Sequence, residues 1–165
     1  MSNTSRVLAA EPRTEAIGTG LTSAQRQKVA TSLQEILGAT YRLLVKTHVH
    51  HWNVVGPLFH PIHVMTEAQY EDLFAATDTL AERIRALGRT TAAPRITTES
   101  GSIAAMSVEK MVDDLVADNE ALVRMMRDAA DVAEAARDPV THDLLVARMT
   151  VHEKAVWMLR ATVAS

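Results

Sequence analysis

His63, Glu67, Asp78 and Glu82 carry the imidazole and carboxylate groups that bind first-row metal ions, and they are spaced as two pairs. Within each pair the residues lie one helical turn apart, so on a helix both members point the same way. Between the pairs, at about 1.5 Å rise per residue, His63 and Asp78 are roughly 22 Å apart. A first-row metal holds its ligands within about 2.3 Å of itself. One ion therefore cannot use both pairs of one helix. Two half-sites on one rod suggest completion by a second copy, antiparallel about a two-fold axis near Asp72 and Leu73. The His63/Glu67 end of each copy then faces the Asp78/Glu82 end of the other, and two identical sites form. The bland alternative is a helix-end histidine and a solvated acidic face.

The elements that must position these residues are helices. Thr22 and Gln25 make a capping-box signal, and Val29, Leu33, Ile36, Leu37, Thr40 and Leu44 follow at helical spacing, predicting helix A over about 22–50. Asn53 to Pro57 breaks it. Phe59, Ile62, Thr66, Leu73, Thr77, Leu80, Ile84 and Leu87 trace helix B, which Gly88 ends. Ser107 can cap helix C, with Met111, Leu115, Leu122, Met125, Ala129 and Val132 on one face. Asp138-Pro139 is a helix-start signature, and helix D runs through Leu144, Leu145, Val151, Ala155 and Leu159. No strand alternation and no internal repeat interrupt the pattern. The short A–B and C–D connections imply two antiparallel hairpins. The B–C segment of about twenty residues is long for a simple bundle. It is intelligible if it runs the roughly 40 Å length of helix B, which extended chain covers at about 3.3 Å per residue. An all-α, ferritin-like four-helix bundle with one long B–C crossover is the expected fold.

At 165 residues the chain makes one domain, large enough for a core without covalent staples. It is divided into a flexible tail over 1–20 and the bundle over 21–165. It has no cysteine, which excludes disulfides, thiolate metal sites and cysteine nucleophiles. The net charge of −3 argues against a surface that coats polyanions. No run approaches a membrane span, so a soluble cytoplasmic protein is expected, with nucleoid association left open. Seven histidines, four of them from His48 to His60, are the compositional oddity.

The run His51-Trp52-Asn53-Val54-Val55-Gly56-Pro57-Leu58-Phe59-His60-Pro61-Ile62-His63, followed by Asp78-Thr79-Leu80-Ala81-Glu82-Arg83, resembles the signature of the Dps family, the miniferritins. The resemblance extends from about residue 22 to 160. It implies ferroxidase activity: Fe(II) oxidised, preferably by hydrogen peroxide, at two-iron sites shared across a two-fold interface. The ferric mineral would be stored in a hollow shell of twelve subunits, protecting DNA from oxidative damage. Residue by residue, it implies that His51, His63 and Glu67 come from one subunit and Asp78 and Glu82 from its partner. Glu67 stands where the family frequently has Asp, so an altered metal–metal distance or bridging mode is expected. Mixed imidazole and carboxylate ligands suit iron in both oxidation states. Trp52 is implied as a sacrificial electron donor and is equally read as core. Trp157 is read as core. Asp138 and Asp143 resemble the acids lining the three-fold pores through which iron enters miniferritins, although Asp138 is equally explained as an N-cap. His48, His50 and His60 are read as surface or cap histidines, and Arg83 as an interface ion-pair partner.

Two other functions compete. A di-iron oxygenase or rubrerythrin-like peroxidase builds its site inside one subunit from two Glu-x-x-His motifs, and no Glu here has His three positions later. A DNA-compacting structural protein with a weak or vestigial metal site would need basic extensions. Residues 1–20 instead set Arg6 and Arg13 against Glu11 and Glu15 and contain no Lys, so DNA binding is expected to be weak or absent.

Overall fold

Thr22 begins the helical part of the chain as expected: its hydroxyl accepts from the Gln25 amide while the Gln25 side chain closes the box on the Thr22 backbone. The computed structural model describes residues 17–94 and 106–164. Among these residues it contains four helices and no strand: α1 (Ser23–Asn53), α2 (Phe59–Ala86), α3 (Val108–Ala135) and α4 (Pro139–Val163). The proposed tail falls largely outside the described residues. Its described end is held down, because the Arg26 guanidinium donates to the carbonyls of Ile17 and Leu21.

The helix ends explain how the chain reverses. At the end of α2, Gly88 takes φ +74°. Its N–H bonds to Arg85 O, and that of Arg89 bonds to Ile84 O, the paired closure that a left-handed residue allows. The end of α3 repeats this geometry with Arg137 at φ +58°, bonding Glu134 O while Asp138 N–H reaches Ala133 O. A non-glycine residue there carries a strain of about 1 kcal/mol. Asp138 then caps α4 by accepting from the Thr141 N–H, with Pro139 in the first turn, so the same residue ends one helix and starts the next.

Cross-helix contacts fix the topology. Asp114, near the start of α3, meets Lys46 and His50 near the end of α1. Ala136, beyond the end of α3, accepts from Gln25. Helices α1 and α3 are therefore antiparallel. Arg83 at the end of α2 pairs with Asp138 at the start of α4, so α2 and α4 are antiparallel as well. The α2–α3 connection begins along α1: Arg89 bonds Ser23, and Ala92 exchanges two hydrogen bonds with Gln34. From Ser23 to Gln34 is about 16 Å at helical rise. The chain thus starts up the bundle toward the distant start of α3, the long crossover expected.

Leu33, Ile36, Leu43, Ile62, Leu80, Ile84, Leu115, Leu122, Met126, Leu145 and Leu159 are almost fully buried and form the core. Three positions depart from the apolar pattern, Phe59 among them, which is exposed. Val151 is exposed while its neighbour His152 is buried, and Met126 rather than Met125 turns fully inward. His152 bonds Asn119, so the core admits this polar pair with one hydrogen bond between them. No helix among the described residues is long and apolar enough to cross a membrane.

Candidate metal centre

Helices α1 and α2 meet where His51 and His63 stack, ring centroids 3.8 Å apart and planes 17° from parallel. The Nδ1 of His51 lies 2.9 Å from the His63 carbonyl oxygen, and the Nδ1 of His63 lies 2.9 Å from the His51 carbonyl oxygen. A carbonyl can only accept, so each Nδ1 carries the proton and donates it. In the neutral ring the lone pair then resides on Nε2. That reciprocal lock fixes tautomer and orientation in both rings, which is how metal-binding imidazoles are prepared. Thr66, buried one turn beyond Ile62, donates to the Ile62 carbonyl and lies 3.4 Å from His51 Nδ1.

The remaining candidate ligands occupy the outer stripe of α2. Glu67, Asp78 and Glu82 are all exposed. The structure brings His51 and His63 together and keeps Asp78 and Glu82 on the far half of the helix. Among the described residues, no group of three or more His, Cys, Asp or Glu is assembled to hold a metal within the single chain. Among the described residues the bundle interior offers no substitute. Its buried polar residues are Thr40, Thr47, His50, His51, Thr66, Thr77, Asn119, Asp138, Thr141 and His152. Of these only Asp138 is a carboxylate, at one end of the bundle and engaged by Arg83. An intrasubunit di-metal site of the Glu-x-x-His kind has no residues to form it there.

Aromatic rings surround the pair. Phe59 stacks on His63 at 4.9 Å, and Tyr70 meets His51 edge-on at 5.2 Å. His48 stacks on Tyr70 at 4.2 Å and lies 4.1 Å from Trp52. Tyr70 was not among the residues singled out in the sequence, although it lies seven residues beyond His63 and so shares its face. Desolvation, then the charges of Glu67 and Glu71, hold its phenol above the ordinary value.

Several expectations need correction. Trp52 is 63% exposed and Trp157 66% exposed, so neither is core of the subunit. His50 is neither a surface nor a cap histidine: it is buried, with Nε2 2.8 Å from Asp114. His60 is exposed, as expected. Arg83 forms its ion pair within the chain, donating to both oxygens of Asp138 and to the Thr141 hydroxyl. Asp138 is therefore a buried cap whose carboxylate is fully engaged, whereas Asp143 is exposed. Asp72, at the expected axis, bonds Arg148 of its own chain through both carboxylate oxygens, and Leu73 is turned into the core.

Compared with known families, residues 30–165 match the ferritin-like domain. A DNA protection during starvation protein of Brevibacillus brevis is 39% identical over 141 residues, 82% of this chain and 95% of that protein. An uncharacterised low temperature-induced protein of a Nostoc species is 38% identical over 154 residues, 88% of this chain and 85% of the relative. Among solved structures, a Dps protein from Bacillus brevis aligns with a TM-score of 0.79 at 34% identity, over 87% of this chain and 100% of that one. Mycobacterium smegmatis Dps aligns with a TM-score of 0.83 at 29% identity, over 92% and 89%.

Proposed function

Because the chain belongs to the Dps family of ferritin-like proteins, we propose that it takes up and oxidises Fe(II), preferably with hydrogen peroxide, and stores the ferric product inside a closed shell of twelve subunits. DNA would be protected by removal of both reactants. The observation that carries this reading is the reciprocal lock of His51 and His63, which leaves an Nε2 lone pair on each of two fixed rings. In-plane lone pairs of near-parallel rings 3.8 Å apart do not converge on one ion. Each imidazole would therefore serve its own iron, as a two-metal site requires.

The carboxylates complete the set. Glu67 lies one turn beyond His63 and is the ligand supplied by the same chain. Asp78 and Glu82, roughly 22 Å away at helical rise, serve the site of a two-fold partner. Hard oxygen donors favour the ferric product, while the imidazoles retain the ferrous substrate. Two Fe(II) ions give one electron each to one peroxide. With two protons from water its O–O bond is cleaved to two water molecules, so no hydroxyl radical is released. Trp52, exposed beside the histidines, is the candidate donor when an electron is missing. Asp143, with its exposed carboxylate, is the better of the two acids for drawing Fe(II) through a pore.

The test is complementation. A His51→Ala/His63→Ala chain and an Asp78→Ala/Glu82→Ala chain should each be inactive alone. Mixed in equal amounts and reassembled, half of the dimers are heterodimers with one intact site of two, so initial Fe(II) oxidation should recover to about a quarter of the wild-type rate. Verified mixed oligomers that recover nothing would sink the shared site.

A further inference from the structure

We propose that Tyr70 is a one-electron donor to the metal centre, coupled through His48 to Trp52. Four rings make an unbroken series of contacts across α1 and α2. Tyr70 touches His51 edge-on at 5.2 Å, His48 covers Tyr70 at 4.2 Å and 24°, and Trp52 packs on His48 at 4.1 Å. His48, His51 and Trp52 are three and four residues apart on one face of α1. Tyr70 shares the stripe of α2 that carries His63 and Glu67. All four are redox-active or polar rings, and Trp52 is 63% exposed, so the series runs from a ligand to the subunit surface.

The chemistry concerns a half-loaded site, and this part rests on the ferroxidase reading. With one Fe(II) bound, peroxide receives one electron from iron and lacks a second. Tyr70 supplies it and loses its phenol proton, and one further proton comes from water. The products are Fe(III), two water molecules and the Tyr70 phenoxyl radical; no hydroxyl radical is freed. A hole formed on the Trp52 indole reaches the same end point. An electron passes from Tyr70 through His48 to the indole, the phenol proton is released to water, and the phenoxyl remains.

The relay can be tested without iron. In the assembled, iron-free Trp157→Phe protein, Trp52 is the only indole, since the chain has two. Flash photoionisation should give an indolyl radical that converts to phenoxyl. Tyr70→Phe should abolish the phenoxyl signal and prolong the indolyl radical, although Tyr41 remains about 16 Å along α1 from Trp52. His48→Leu should slow the conversion severalfold. Phenoxyl formation undiminished in Tyr70→Phe would overturn the assignment of Tyr70, and a rate unchanged in His48→Leu would overturn the bridge. In a second arm, one Fe(II) per site followed by peroxide should leave a phenoxyl electron-spin signal in the wild type and none in Tyr70→Phe. A wild type that does not oxidise Fe(II) would refute the ferroxidase reading, while the photochemical arm still decides the relay.

Discussion

His152 makes the subunit sensitive to mild acid. The ring is buried between α2, α3 and α4. Its Nδ1–H donates to the Asn119 side-chain oxygen at 2.8 Å, and its Nε2 is buried without a partner. A second proton would place a charge there with nothing to receive it. Burial, then the nearby Arg148 guanidinium, lower its pKa from the usual 6.5 to about 4, against a smaller opposing pull from Asp72. A depressed folded-state value means that the unfolded chain binds the proton first. Stability is complete above about 6.5 and is lost as pH falls toward about 4. At about 1.4 kcal/mol per pH unit the full loss is about 3 kcal/mol per subunit, of which about 2 kcal/mol has gone at pH 5. For a chain of this length that lowers the midpoint of thermal unfolding by about 6 °C. Asp114 and Asp138 do not share this window. Burial opposes their ionisation but is outweighed, by Lys46 and His50 at Asp114 and by Thr141 and Arg83 at Asp138. Their contributions are present above the ordinary carboxylate range and fade only below it. The assay is thermal unfolding from pH 7 to pH 5 for wild type and His152→Gln, whose amide can still donate to Asn119. The variant should lose most of the pH dependence in that interval, whatever its stability at pH 7. Parallel curves for the two proteins would refute the account.

Glu67→Asp should retain most Fe(II) oxidation, whereas Glu67→Ala should weaken one iron site more than the other. Titration by calorimetry that finds two unaltered sites in Glu67→Ala would remove Glu67 from the ligand set. Arg83→Leu leaves the Asp138 carboxylate buried without its cation and should destabilise the subunit by about 3 kcal/mol in chemical denaturation; a loss below about 1 kcal/mol would mean that Thr141 alone satisfies Asp138. A gel shift at neutral pH and moderate salt should show no stable DNA complex, because residues 1–20 balance two Arg against two Glu and affinity scales with phosphates neutralised. A retarded band lost on deleting residues 1–20 would reverse that expectation.

The sequence made most helix ends legible, because the groups that close a helix are few and local. Thr22 with Gln25, Ser107, Asp138-Pro139 and Gly88 each announced a terminus that the structure contains. Arg137 announced none: it is a left-handed non-glycine residue, and the next residue, Asp138, is held by its backbone bond to Ala133 and its cap on Thr141. The four-helix topology followed from loop lengths, since a long connection between two short ones leaves few ways to pack two hairpins. Side-chain burial was harder to read. Helical periodicity assigns apolar residues inward, so it passed over His50 and His152, whose places in the interior depend on Asp114 and Asn119 from another helix. No local pattern carries that information.

The opposite error is the more instructive for the metal centre. Composition makes Trp52 partly a core residue and helical spacing puts Phe59 on the inward stripe, yet they are 63% and 44% exposed. Phe74, between Glu67 and Asp78 on the same stripe of α2, is 67% exposed. Single exposed apolar residues are ordinary on a protein surface, but these flank the candidate ligands. An iron ligand benefits from a dry surrounding, which strengthens its electrostatics, and Trp and Phe on an open face would leave the carboxylates in bulk water. One partner helix laid antiparallel on this face would cover the aromatic residues and supply the missing half of each ligand set. Substitution of Phe74 should therefore weaken dimerisation and Fe(II) oxidation together, because the same contact would serve both.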